Sequence, residues 1–261
     1  MINGDRLLFS INGHEVPVED VNEWEFKRLK KNFKFFQKHT DAEISPQVSQ
    51  WIANKDIQSL NAELVRIKID MGFDRLRRVL ERRCQIGDTI SGIAAKFARG
   101  KRKFSITEIY VPHSNLSPEE VMDKITEVMM VRSDAHDAIN VGSNPDHYVL
   151  LGLTPTIQEV LETTGGSPLP THFYAHYGDL TGLQSRKSTD YSVELAGAAK
   201  DKKGHVIGGM RHQVKKENDG FRFKALVEFP GILPDSMIKA HQYHLACEFG
   251  HWITAILDDV E

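Results

Sequence analysis

The stretch Ala240-His241-Gln-Tyr-His244-Leu-Ala-Cys-Glu248-Phe-Gly-His251-Trp252 carries two patterns on one predicted helix. It lies in a segment that opens at Pro234-Asp235, a proline and an acidic residue suited to a first turn, and runs to about Leu257. With about 100° of rotation per residue, His241, His244, Glu248 and His251 share an arc of about 80°. Ile238, Leu245, Phe249, Trp252 and Ile256 fill the adjoining stripe. A helix with an apolar stripe bordered by a His/Glu stripe buries one face and aims polar groups along its edge.

The residues before this helix read as strands. Phe104 to Val111 alternates with period two. Ser117-Pro118-Glu119-Glu120 supplies an N-cap, a proline at the first helical position and an acidic first turn for a helix through Met130. Strand-like runs follow at Ala138–Val141, His147–Leu151, Ile157–Thr164, His172–Tyr177, Tyr191–Ala199, His205–Lys215 and Phe221–Phe229. Strand, helix, several antiparallel strands and a long final helix predict an α+β fold. The arrangement is the helix grip of START-like domains, a curved antiparallel sheet around a long C-terminal helix with a cavity between them.

Residues 1–103 read as a mostly helical N-terminal part with an initial hairpin. The hairpin is Leu7–Ile11 and His14–Val18 around Asn12-Gly13, a pair that supplies the positive φ angles of a tight turn. Phe26, Leu29, Phe33 and Phe36 recur at helical spacing; Ser45-Pro46 starts a short helix through Trp51. A further helix from about Ile57 to Arg83 is interrupted at Gly72. The expected division is 1–103 and a helix-grip domain at 104–261. The basic run Lys96–Lys103 reads as a solvated connector.

Composition narrows the function. The chain has 261 residues, 40% hydrophobic and 26% charged, with a formal net charge of -3, as expected of a globular protein. No global basic field points to nucleic acid. No apolar run reaches the length of a membrane span, and Met1-Ile-Asn-Gly-Asp-Arg does not begin a signal peptide, so a cytoplasmic location is expected. Two distant cysteines, Cys84 and Cys247, exclude a disulfide framework and a Cys-rich zinc finger. Gly208-Gly209 sits in a strand pattern, which argues against a dinucleotide fingerprint.

His244 and Glu248, four apart on a helix, are placed to share one metal ion. In Asn144-Pro145-Asp146-His147, His147 shares a predicted strand face with Val149 and Leu151. Gln158-Glu159-Val-Leu-Glu162-Thr-Thr-Gly165 follows. A two-residue Thr154-Pro155 loop makes His147 and Glu162 direct cross-strand partners, with Cβ atoms about 5 Å apart; a three-residue loop brings Glu159 there instead. Two His and two Glu make a four-ligand set suited to zinc, with manganese or iron also compatible by ligand type. His113 and His136 are rival ligands.

The segment from about Ser117 to the C-terminus resembles the diacetylphloroglucinol hydrolases and phloretin hydrolases, on Pro145-Asp-His147, Glu162-Thr-Thr-Gly165 and His244-Leu-Ala-Cys-Glu248 in that order. The resemblance implies a helix-grip, zinc-dependent (Zn2+) hydrolase that cleaves the carbon–carbon bond between an aromatic ring and an acyl group. It implies His147, Glu162, His244 and Glu248 as metal ligands, with one position left for water or substrate. Glu162 or Glu248 would be the general base, and His212, His241 and His251 hydrogen-bonding neighbours. Tyr174, Tyr177 and Tyr191 are available to a phenol without an assigned role. The expected partner is a small aromatic ketone, with no nucleic acid and no membrane. The N-terminal part would serve as a dimer arm or a lid; exposed Phe residues on the 19–38 helix would favour the arm and a homodimer. The rival functions are a non-catalytic helix-grip protein holding a hydrophobic or polyketide-like ligand, a metal-free cyclase or dehydratase, and an interaction protein working through its N-terminal part.

Overall fold

The computed structural model describes residues 1–2, 4 and 6–259. Its strands are β1 (Leu8–Ile11), β2 (His14–Val16), β3 (Arg102–Val111), β4 (His147–Thr154), β5 (Ile157–Glu162), β6 (Thr171–Tyr177), β7 (Val193–Lys200), β8 (Val206–Glu217) and β9 (Gly220–Pro230). Among the described residues they form one antiparallel sheet in the order β2-β1-β3-β9-β8-β7-β6-β5-β4. The helices are α1 (Val18–His39), α2 (Val48–Ala53), α3 (Ile57–Met71), α4 (Phe73–Phe97), α5 (Pro118–Met130), α6 (Asp134–Gly142) and α7 (Asp235–Asp258). The long C-terminal helix α7 packs into the curved sheet, which is the helix grip expected from the order of elements.

Two hydrophobic cores lie on opposite faces of this sheet. On the α7 side, Leu245, Phe249, Trp252 and Ile253 pack with Phe221 and Phe223 of β9 and with Ile125 and Met129 of α5. On the other side, Phe26, Leu29, Phe33 and Phe36 of α1, Leu60 and Leu64 of α3, and Leu76 and Leu80 of α4 cover Val149, Leu151 and Leu161. The Phe residues at 26, 33 and 36 are therefore buried within the chain and offer no exposed dimer arm. α5 starts as its sequence dictates: Ser117 and Glu120 form a reciprocal capping box, with Pro118 in the first turn.

The structure departs from the sequence reading in several places. The helix expected to end near Arg83 continues as α4 to Phe97, and the run Lys96–Lys103 is a connector only in its middle, since Lys96 and Phe97 end α4 and Arg102 and Lys103 begin β3. The hairpin turns at Asn12 (φ 53°) and Gly13 (φ 77°) as expected, but it joins the main sheet through β1 and β3. The boundary drawn at residue 103 accordingly falls inside β3. Ala138–Val141 is helical, not a strand; it belongs to α6, capped by Ser133, whose side chain accepts from the His136 N–H. The β4–β5 loop is Pro155-Thr156, since Thr154 pairs with Ile157. Register shifts between Gly152 and Thr154 and between His147 and Val149 then restore the pairing of His147 with Glu162. The second shift also corrects the facing of β4: Val149 and Leu151 join the helical core, while His147 turns to the α7 side.

Candidate metal centre

His147, Glu162 and His244 each present a ligand atom within 4.8 Å of the other two. The two imidazole Nε2 atoms are 3.1 Å apart. Glu162 Oε2 lies 3.4 Å from His147 Nε2 and 3.6 Å from His244 Nε2. Glu248 stands outside this compact trio but reaches both histidines, Oε1 at 3.6 Å from His147 and Oε2 at 3.9 Å from His244. Neighbouring ligand atoms of a tetrahedral zinc, at bonds of about 2.0–2.1 Å, are separated by about 3.3 Å. The observed spacings match a donor set closing on one ion.

The His147 and Glu162 side chains are oriented by hydrogen bonds, and the loop that carries His147 is tied to α7. The Asn144 side-chain amide donates to the His244 carbonyl, and Asn144 Oδ1 accepts from the Asp146 N–H, which ties the loop before β4 to α7. His147 Nδ1 lies 3.1 Å from the Asn140 carbonyl and 3.1 Å from Ser143 Oγ. With its proton donated to that carbonyl, the ring turns the Nε2 lone pair into the site, the arrangement typical of a metal-ligating histidine. Thr164 donates to Glu162 Oε1 at 2.9 Å and leaves Oε2 facing the imidazoles. Gly165 adopts φ 55°, and a Cβ there would come within 2.8 Å of the Met237 carbonyl oxygen and 3.0 Å of His241 Cβ. The Glu-Thr-Thr-Gly segment thus needs glycine both for its left-handed backbone and for its approach to α7.

Burial, reinforced by His244, pushes His147 down to about 3. Burial opposes ionisation of Glu162, but His244 and His147 outweigh it and hold the carboxyl down to about 2. Burial also opposes protonation of His244, and the Glu162 carboxylate overrides it, raising that imidazole. Burial pushes Glu248 up to about 8, with His244 pulling the other way and Glu162 adding to the rise. Without a cation the cluster balances the Glu162 carboxylate against a protonated His244 and keeps Glu248 protonated; a divalent cation would take the place of those protons.

The site opens into a cavity of about 350 Å³ between sheet and α7. Its wall includes Phe173, Phe229, Phe249 and Trp252, with Gln158, Tyr177 and His212 as inward polar groups. Tyr177 donates to Gln158 Oε1 at 3.4 Å. His212 lies 4.7 Å from Phe249, ring centroid to centroid, burial pushes it down to about 3, and its buried Nδ1 has no partner among the described residues. Gly87, Ile90, Ser91 and Ala94 of α4 also line the cavity, so the N-terminal part supplies one wall.

The rival ligands lie elsewhere. His113 is exposed and pairs with Asp219, and half-buried His136 contacts the Val131 carbonyl at 2.8 Å. Glu159 points away from the cavity, bonded by Arg77 and His172. Of the proposed neighbours, His241 stacks on His244 at 5.0 Å and contacts Ser105 Oγ at 2.9 Å. His251 turns instead to Glu25 of α1, 2.9 Å away. Tyr174 and Tyr191 do not line the cavity. The supports from Asn140, Ser143 and Thr164, and the wall from α4, were not read from sequence; the Ser133 cap and acidic turn that place α6 were the available signal.

No protein-family model matches the sequence, and no curated protein matches it. Among solved structures, Ara h 8.0201 is 13% identical, matching 60% of this chain and 99% of its own with a TM-score of 0.37. Protein Ms6760 from Mycobacterium smegmatis is 9% identical, matching 60% of this chain and 93% of its own with a TM-score of 0.33. Among the described residues no helix is long and apolar enough to cross a membrane.

Proposed function

We propose that this protein is a zinc-dependent hydrolase cleaving the carbon–carbon bond between an acyl group and a phenolic, phloroglucinol-type ring. The supporting observation is the convergence of His147, Glu162, His244 and Glu248 from a hairpin and the final helix, at the wall of an aromatic cavity. In the reaction, water adds hydroxyl to the acyl carbon and a proton to the ring carbon, giving a carboxylic acid and a less acylated phenol.

When bound, zinc acts as a Lewis acid toward the ketone carbonyl and toward water. His147, Glu162 and His244 would hold it, with Glu248 as the outermost of the four ligands. Glu248, outside the compact trio but within reach of both imidazoles and on the cavity wall, is the carboxylate placed to take a proton from water and return it to the ring carbon. The phenol hydroxyls make that carbon basic through a keto tautomer. The aromatic wall accepts a planar ring and excludes water, and His212 Nδ1, buried and without a partner among the described residues, is available to a phenol hydroxyl.

Elemental analysis of protein purified without added metal tests this reading. We expect about one zinc per chain, lost in His147→Ala and His244→Ala. Acid release from acylphloroglucinols should be abolished in Glu248→Gln. Absence of metal even after zinc reconstitution would overturn the proposal. A second reading, a carrier of a hydrophobic or polyketide-like ligand, is favoured by the apolar wall of the cavity. It requires stoichiometric binding of an acylphenol that persists in Glu248→Gln and His244→Ala without acid release.

A further inference from the structure

A second recess, of about 200 Å³, lies behind the metal ligands on the helical side of the sheet. Lys31 and Lys34 of α1 and Arg83 of α4 line it, over a floor that includes Asp146 and Tyr148. Arg28 neutralises Asp146 through two hydrogen bonds of 2.5 and 2.7 Å, and Asn32 adds a third at 3.0 Å. With Asp146 satisfied, Lys31, Lys34 and Arg83 have no acidic partner among the described residues. Arg83 is held by the Pro168 carbonyl at 2.7 Å and lies over the Phe35 ring, 5.2 Å from its centroid, so its remaining N–H groups are preorganised. Burial, reinforced by Arg28 and Arg83 and only partly offset by Asp146, lowers the Lys31 ammonium, as expected where cations outnumber the counter-charge.

We propose that this recess binds a small oxyanion, a carboxylate or phosphate, between Lys31, Lys34 and Arg83. A guanidinium and two ammonium groups match the charge and acceptor geometry of such a group, and the recess has room for it. Occupancy is coupled to the metal centre through the chain. Asp146 precedes His147, Thr163 follows Glu162, and the Thr163 N–H donates to the Asp146 carbonyl at 3.0 Å. Ser167 and Pro168 line both this recess and the main cavity, so an anion on Arg83 braces the segment between Glu162 and β6.

The probe is inorganic phosphate, titrated calorimetrically into the full chain with ionic strength held constant by sodium chloride. Saturable binding is expected, weakened about tenfold or more in Lys31→Ala and in Arg83→Ala. Lys38→Ala, an exposed change on α1 outside the recess, should leave it unaltered. Lys34→Ala is a second exposed substitution that keeps the test valid should Arg83→Ala fail to fold. Competition by acetate would extend the site to carboxylates, and phosphate binding without it would restrict the site to dianions. Three results would overturn the proposal: no saturable binding, equal weakening in Lys38→Ala, or binding lost in His244→Ala but kept in Lys31→Ala, which would place the anion on the metal.

Discussion

Glu159 and Glu162 are three residues apart on β5, so their side chains leave opposite faces of the sheet. Glu162 meets His147 and His244, whereas Glu159 accepts from Arg77 at 2.8 and 2.6 Å and contacts His172 at 2.8 Å. Despite its burial, those partners hold Glu159 down to about 2. Its contribution to stability is therefore present above the usual Glu range and lost as pH falls toward 2. Glu159→Gln should cost about 1–3 kcal/mol of stability and keep the metal, while Glu162→Gln should lose the metal; denaturant melts paired with elemental analysis separate the two. Lys68 gives a second prediction. Its ammonium donates to the Val141 and Pro145 carbonyls, and burial lowers it to about 7. Between pH 7 and the usual Lys range the unfolded chain binds the extra proton, so wild-type stability should rise with pH relative to Lys68→Met. The slope approaches about 1.4 kcal/mol per pH unit. A flat difference across pH 7–9.5 would show that Lys68 is not desolvated in the folded state.

At the scale of elements, the segment between β5 and β6 is the tightest joint near the site. Gly165→Ala forces a Cβ against the Met237 carbonyl and His241 at a positive φ. A loss of about 1–3 kcal/mol is expected, with reduced zinc content because Glu162 lies three residues upstream; unchanged melting and metal content would show that the turn relaxes freely. The helix α7 and the β4–β5 hairpin were legible because each has a local signal, helical spacing and a turn between two strand-like runs; the pairing of His147 with Glu162 was one of two registers left open, Glu159 being the other. The route to that pairing was not legible. β4 is buried on both faces from His147 to Leu151, so its sequence is a continuous apolar run that hides both the bulge and the facing of Val149 and Leu151. α6 was misread because Ile139 and Val141 favour strands, while the Ser133 cap and the acidic residues Asp134 and Asp137 set the helix. The cluster around Arg77 was invisible because its partners are 82 positions apart in sequence.

For the whole molecule, the decisive question is whether residues 104–261 can fold without the helices before them. The sheet would lose β1 and β2, which cover the edge of β3. Val149, Leu151 and Leu161 would lose the cover of α1, α3 and α4, exposing an apolar face on the hairpin that carries two of the four proposed ligands. Asp146, wholly buried, would lose Arg28 and Asn32, and the Pro145 carbonyl would lose Lys68. Each uncovered large apolar side chain forfeits about 1.5–3 kcal/mol, and a domain's total stability is about 5–15 kcal/mol. A 104–261 fragment should therefore be insoluble or lack near-ultraviolet circular dichroism, and bind no stoichiometric zinc. A soluble, cooperatively melting fragment that retained the metal would instead show that the N-terminal helices are an appendage, and that the sheet can hold the metal loop without them.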